Sequence, residues 1–543
     1  MLTVSDVSVA FSGKKLYDDV NLKFTPGNTY GVIGANGAGK STFLKVLEGK
    51  LAPTTGRVSM EANERMSSLV QDHFAFDDYT VLDTVLQGHK ELYEVKSAMD
   101  EIYTHDPFTD EDGIKVGDLS ARFDELNGWS AEPEAAQLLQ NLGIDEAQHY
   151  TLMGDMPEAL KVKVLLAQAL FGNPDILILD EPTNGLDTKT IAWLEDFLAD
   201  YQNTVIVVSH DRHFLNAVST MILDVDFGKI KLFVGNYDFW KESSELALRL
   251  QQNANAKKEE QIKQLQDFIA RFSANASKSK QATSRKKQLD KITLDDIQPS
   301  TRKYPYIKFE VAREIGNDLL RVENLSKTVD GVKLLDDISF TLRPGEKTLV
   351  MAENDVAATL LLDILAGRAE ADSGEVTWGV TTSRDYLAKD MSENFAKPEM
   401  PILDFLRDFA SKEENDNTFL RGLLGRMLFK GEDAEKTLDV LSGGEKVRVM
   451  LSKLMLTKTN VLILDDPTNH LDLESITSLN DGLVDYKGSL IFTSHDHTFA
   501  QTIADHIVVV SDQGVVDRAE TSYDDFMGHE EVQRQLAAKN IKL

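Results

Sequence analysis

Residues 30–49 read "YGVIGANGAGKSTFLKVLEG". An apolar run leads into G-x-x-x-x-G-K-[ST] at 34–42, and a helical pattern follows. Strand, glycine-rich loop and helix in that order predict a phosphate-binding loop. Its glycines let backbone N–H groups wrap phosphate at a helix N-terminus. The loop is formed by Gly34, Ala35, Asn36, Gly37, Ala38 and Gly39. Lys40 neutralises β- and γ-phosphate oxygens, and Ser41, followed by Thr42, offers a hydroxyl to Mg²⁺. The expected ligands are ATP and Mg²⁺.

Working outward, the chain is a repeat. "VSVAFSGKKLYDDVNLKFTPGNTYGVIGANGAGKSTFLKVLEG" (7–49) aligns without a gap on "LSKTVDGVKLLDDISFTLRPGEKTLVMAENDVAATLLLDILAG" (325–367). "PDILILDEPTNGLD" (174–187) answers "TNVLILDDPTNHLD" (459–472), and "VIVVSHDRHFL" (205–215) answers "LIFTSHDHTFA" (490–500). Short β-branched strands alternate with helices in each half, which predicts α/β layers around a largely parallel sheet. The expected organisation is a domain over 1–240 with a helical insertion near 88–142, a helical linker over 241–314, a second domain over 315–525 and a tail over 526–543. Between the domains, Gly and Pro are almost absent and Ile262, Leu265, Phe268, Ile269 and Phe272 recur at helical spacing. Two long helices joined near 273–278 are expected there.

Composition bounds the rest. A chain of 543 residues is too long for one core. No apolar run is long enough to cross a membrane, and the N-terminus lacks the pattern of a secretory signal. The absence of cysteine removes disulfides and thiolate metal sites and fits a reducing cytoplasm. The net charge of −31 excludes nucleic-acid binding over the whole surface, so any RNA contact must be local.

The strand "ILILDEP" (176–182) ends in two carboxylates. Asp180 suits Mg²⁺, and Glu181 is placed to orient or deprotonate an attacking water. Strands capped by solvated acids are common, but this pattern recurs in the other repeat. A lone histidine after a strand, such as His210 in "VVSHD", is more often structural. Gln71 in "SLVQDHF" is equally weak alone. Their order along the chain raises both.

The order P-loop, Gln71, "LSGGEK" (441–446), "LILD" and "SHD" resembles the ABC-type ATPases. Two such domains joined by a long helical linker resemble the ABC-F family, and the linker and acidic insertion are nearest its YbiT-like branch. The resemblance implies two tandem ABC-type P-loop NTPase domains joined by a long α-helical hairpin, and head-to-tail composite sites. Each nucleotide would lie between the P-loop of one domain and the LSGG-type signature of the other. It also implies Phe11 stacking on adenine, Gln71 serving both metal and water, and Ser442, Gly443, Gly444 and Glu445 completing the first domain's site. It implies a monomeric, cytoplasmic ATPase that binds the ribosome, with ribosomal RNA, transfer RNA and ribosomal proteins as contacts, and that does not enter the membrane.

The second repeat departs from the first. Gly34, Gly37, Gly39 and Lys40 become Ala352, Asp355, Ala357 and Ala358. Phe11 becomes Val329, Gln71 becomes Lys389 and Glu181 becomes Asp466. In the first domain Pro157, Glu158 and Ala159 stand where the second has Ser442, Gly443 and Gly444. Sorted by composite site, every change falls on one site and none on the other. One hydrolysing site and one degenerate site are therefore expected. Asp355 would repel a phosphate at 4 Å by about 4 kcal/mol at an effective dielectric of 20. Gly185 in "TNGLD" beside "TNHLD" is a further asymmetry.

Residues 268–291 carry Arg271, Lys278, Lys280, Arg285, Lys286, Lys287 and Lys291 against Asp290 alone. Charge runs are usually solvated helix faces. At the turn of a helical hairpin this one could meet RNA phosphates. The insertion is the opposite: 88–134 holds 13 acidic residues and 4 basic ones, so it cannot grip RNA by charge. Two other classes remain open on sequence: the ATPase subunit of a transporter, and a structural module with a fixed nucleotide.

Overall fold

The computed structural model describes residues 1–11, 14–105, 109–272 and 302–541. Its two halves repeat one architecture. In the first, a six-stranded sheet runs in the order Met66–Ser68, Ile176–Asp180, Thr204–Val208, Thr29–Gly34, Met221–Asp226, Lys229–Val234. All neighbours are parallel except the last pair. The second sheet runs Arg384–Leu387, Val461–Leu464, Ser489–Phe492, Lys347–Ala352, His506–Ser511, Gly514–Ala519, again with only the final pair antiparallel.

Central strands such as Thr204–Val208 and Val461–Leu464 are buried along their whole length. That explains why they read as unbroken apolar runs rather than alternating ones: helices cover both faces of a parallel sheet. A three-stranded antiparallel sheet flanks each half, around Thr3–Phe11 and Leu320–Val329. Each half thus has one apolar cluster below its main sheet and another above it, beneath the antiparallel strands.

The expected insertion is helical: Lys90–Tyr103, Asp110–Glu125 and Ala131–Asn141. A capping box built from Thr109 and Asp112 starts the second of these helices. A helix of 36 residues, Tyr237–Phe272, leaves the first domain and has Arg271 in its last turn. The second helix of the expected hairpin, with Lys278, Lys280, Arg285, Lys286 and Lys287, lies outside the described residues.

Chain near the end of the linker region ties the halves together. The largely buried Arg302 guanidinium, 11% exposed, reaches Asp224 Oδ1 at 2.5 Å and Asp226 Oδ2 at 3.0 Å in the first domain. Its Nε lies 3.0 Å from Glu474 Oε1 in the second. The Trp240 ring stacks against the same guanidinium at 4.8 Å. Arg212 donates to the Leu473 carbonyl at 3.2 Å and to the Thr477 hydroxyl, and the His213 and His497 rings meet at 4.3 Å. Removing one partner of a buried ionic cluster leaves uncompensated charge, at about 3–5 kcal/mol. Arg302→Met therefore leaves three carboxylates facing one another. It should lower stability by about that amount in urea titration, while Arg249→Met, on an exposed helix face, should change it by less than about 0.5 kcal/mol.

Candidate ATP site

The strand Thr29–Gly34 and the helix Lys40–Leu47 bracket the loop 35–39. The loop stays out of the helix because Gly37 and Gly39 adopt φ of +77° and +104°, a region L side chains avoid. A Cβ at Gly39 would stand 2.5 Å from Leu16 Cδ2. Lys40 is buried and donates to the carbonyls of Gly34 at 2.8 Å and Ala35 at 3.4 Å. Burial pushes its pKa down, while Glu181, Glu474, Asp472 and Asp180 hold it up.

Three further side chains converge beside it. Gln71 Nε2 donates to Asp180 Oδ2 at 2.9 Å, and the Ser41 hydroxyl also hydrogen-bonds Asp180. Glu181 has φ of +53° and accepts from the His210 backbone N–H at 3.2 Å. His210 Nε2 lies 3.4 Å from Glu181 Oε1. Burial, with the Asp180 charge beside it, pushes Glu181 up to about 8. Burial and the neighbouring Lys40 push His210 down to about 4. Burial thus disfavours the charged form of both groups. His210 Nδ1 is buried without a hydrogen-bond partner, an open acceptor or donor beside the carboxyl.

These groups line a cleft of about 960 Å³ between the halves. Phe11 stands at its edge, half exposed, with Asn36, Gly37, Gly39, Lys40, Ser41, Thr42, Gln71, Asp180, Glu181 and His210. Ala35 and Ala38 complete the loop behind them. The cradle, the lysine and the Ser41–Asp180–Gln71 cluster fit a nucleotide triphosphate and its Mg²⁺. Among the described residues no group of three or more His, Cys, Asp or Glu could hold a metal. A cation held by Ser41, Gln71, Asp180 and phosphate oxygens is of a different kind.

The cleft lining does not include Ser442, Gly443, Gly444 or Glu445. Ser442 caps the helix Gly443–Thr457, with Glu445 bonding back to it in a capping box. The second domain reaches the cleft instead through Thr468, Asn469, His470 and Leu471, and the cleft continues to Asp355, Lys389, Asp466 and His495 of the other half's site. Its buried Asp472 and Glu474 act electrostatically on Lys40. Sequence reasoning passed over these residues; the one legible signal was the difference between "TNGLD" and "TNHLD".

The second half is built differently. Its helix starts at Asp355, three residues ahead of the position that matches Lys40, and Asn354 caps it. Asp355, Val356 and Ala357 thus wind into the helix where the first half keeps an open glycine loop. Ala357 and Ala358 are buried in the core. The Asp355 charge is not bare, as the sequence suggested. Its Oδ2 meets His495 Nε2 at 3.0 Å and Lys389 Nζ at 3.9 Å, and Lys389 also lies 3.6 Å from Asp466 Oδ2. Burial would raise the Asp355 pKa, but His495 and Lys389 hold it low; burial would lower that of His495, but Asp355 and Asp466 hold it high. Asp465 receives the Thr493 hydroxyl at 2.6 Å. Val329 is partly exposed, and Glu158 and Ala159, which follow Pro157, face the cleft.

The ABC transporter family matches residues 17–184 and 335–469, and a second family of the same description matches 223–309. The chain is 59% identical over 536 residues to the uncharacterized ABC transporter ATP-binding protein YkpA of Bacillus subtilis, covering 99% of each chain. It is 46% identical over 527 residues to the probable ATP-binding protein YbiT of Escherichia coli O157:H7, covering 97% of this chain and 99% of that one. In fold it is similar to the archaeal ribosome recycling factor aABCE1, solved with the ribosomal stalk protein aP1. The TM-score is 0.60 at 16% identity, over 98% of this chain and 92% of that one. No helix among the described residues is long and apolar enough to cross a membrane.

Losing the Lys40 charge removes an attraction of about 4 kcal/mol at an effective dielectric of 20. Lys40→Ala should therefore weaken ATP binding by on the order of 100-fold or more in equilibrium dialysis. Lys389→Ala should leave it within about twofold, because that ammonium is already engaged by Asp355 and Asp466.

With two ATP-binding domains in tandem and relatives of that kind matching almost end to end, the chain belongs to the ABC ATPases, in their ABC-F branch.

Proposed function

We propose that this protein is a ribosome-associated ATPase with one hydrolysing site. The observation that carries the one-site reading is the contrast between the two loops: an open glycine cradle with a lysine at 34–40, and a capped helix closed by Asp355, His495, Lys389 and Asp466. Phosphate would have to unwind the helix and break the ion pairs to enter the second. In the first, Gly34–Thr42 bind the phosphates and Phe11 stacks on adenine. Ser41, Gln71 and Asp180 hold Mg²⁺, which screens the phosphate charge. Glu181 and His210 orient the attacking water, and the second domain's signature, Ser442–Glu445, closes over the γ-phosphate.

What that ATPase drives follows from the linker. Residues 268–291 carry a net positive charge in a chain of −31. Only a local basic element of this kind lets such a chain approach RNA. The fold is shared with an archaeal ribosome recycling factor, and with ABCE1 in a model of ribosome-bound archaeal Pelota and ABCE1. In this reading ATP closes the two domains into the transfer-RNA exit site and points Arg271, Lys278, Lys280, Arg285, Lys286 and Lys287 toward the neighbouring transfer RNA. Hydrolysis reopens the clamp. The chain acts as a cytoplasmic monomer.

Glu181→Gln should bind ATP and stay closed. Sedimented with 70S ribosomes, that variant should pellet with ATP and not without it, and the added substitution Lys40→Ala should abolish pelleting. Absence of pelleting in all conditions, with a membrane subunit recovered in pull-down, would favour a transporter ATPase instead.

A further inference from the structure

The two halves differ at the phosphate end of the site and agree at the metal end. Gly37, Gly39 and Lys40 become Asp355, Ala357 and Ala358. Ser41 and Asp180 keep their chemistry: Thr359 retains the hydroxyl and Asp465 the carboxylate. The backbone is kept as well. Asp466 holds φ of +48° where Glu181 holds +53°, so both strands end on the same conformation. The Thr359 hydroxyl hydrogen-bonds Asp465, as the Ser41 hydroxyl bonds Asp180. Asp465 is 3% exposed. Its Oδ1 receives the Thr493 hydroxyl at 2.6 Å, while its Oδ2 is buried without a hydrogen-bond partner. Asp465 lines a cavity of about 350 Å³ together with Asp355, Thr359, Lys389, Asp466 and His495.

Carboxylates gathered in this way need a cation. In the first half Gln71 donates its amide N–H to Asp180 at 2.9 Å, and its carbonyl oxygen is a ligand of the kind a divalent ion takes. In the second half that position is Lys389. Its Nζ lies 3.6 Å from Asp466 Oδ2 and 3.9 Å from Asp355 Oδ2, and its charge acts on Asp465 as well. An ammonium has three donors and no lone pair. It neutralises carboxylates, cannot ligate a metal, and repels one. His495 also meets Asp355, but a histidine stands at this position in both halves. Lys389 is the cation that the second half adds.

We infer that the second half keeps the metal end of an ATP site with its cation built in: the Lys389 ammonium takes the place of the divalent ion among Asp465, Asp466 and Asp355. The inference rests on the one-site reading above. It adds that this half needs neither nucleotide nor metal to balance its charge. Exchanging the ammonium for a neutral amide should turn the cavity into a divalent-cation site, with oxygens from Thr359, Asp465, Asp466 and the introduced side chain. It should not restore nucleotide binding, because the helix still starts at Asp355.

Mn²⁺ alone, without nucleotide, is the probe. Loss of its free-ion signal in electron paramagnetic resonance counts the ions bound to the full chain. The parent sets the baseline, including any ion taken by Ser41 and Asp180. Lys389→Gln should take up about one Mn²⁺ per chain more than the parent, and adding Asp465→Asn should remove it. Lys389→Arg, which keeps the charge, should stay at the baseline. The Lys389 side chain is 39% exposed, so its replacement leaves the core intact. The midpoint of thermal unfolding, read in parallel, should rise with Mn²⁺ more in Lys389→Gln than in the parent. Uptake by Lys389→Gln at the parent's level overturns the assignment. So does a gain in Lys389→Arg, or uptake by the parent that Asp465→Asn alone lowers. Titration of the parent with a non-hydrolysable ATP analogue separates this inference from the reading beneath it. Two nucleotide sites end both. One nucleotide site, with no gain of Mn²⁺ in Lys389→Gln, ends only the role of Lys389.

Discussion

The chemistry of this chain depends on whether five residues between a strand and a helix remain outside the helix. In the first half Gly37 and Gly39 hold the backbone at positive φ, so the helix cannot start before Lys40. N–H groups that would be spent on helical hydrogen bonds stay free for an anion. In the second half the same five positions hold no glycine, and Asn354 supplies a cap. Helix then forms by default, because nothing in the local sequence opposes it. Loss of glycine alone converts an anion site into an ordinary helix N-terminus, before the loss of lysine is considered.

The closed half is not simply vacant chemistry. Asp355, His495, Lys389 and Asp466 compensate one another's charge. All four stand where the other half has Gly37, His210, Gln71 and Glu181. Asp466 and His495, the less exposed of them, need partners, and the charged groups at this site supply them from within. The intact half shows the complementary condition. Burial disfavours the charged forms of Glu181 and His210, and Lys40 is left with backbone carbonyls as its hydrogen-bond partners. Such groups, poised and incompletely partnered, are what a functional site retains.

Much of this was legible in the sequence. The repeat, the order of motifs and the unbroken apolar strands predicted two α/β halves, and the segregation of substitutions is where the one-site proposal starts. Three things were not legible. The sequence presents Asp355 as an uncompensated charge, because the partners that cancel it, Lys389 and His495, lie far along the chain and reach it only through the sheet. The second domain's turn was also hidden. His470 packs against Gly443 and lines the cleft, and neither follows from spacing. The Arg302 cluster was unreadable for a similar reason, since one arginine after a long linker collects carboxylates from both domains.

Only one of the two half-sites is expected to take nucleotide. Isothermal titration of the full chain with a non-hydrolysable ATP analogue and Mg²⁺ tests it most directly. One tight site per chain, lost in Lys40→Ala and kept in Lys389→Ala, is the predicted result. Two sites of comparable affinity, or one site that survives Lys40→Ala, would contradict it.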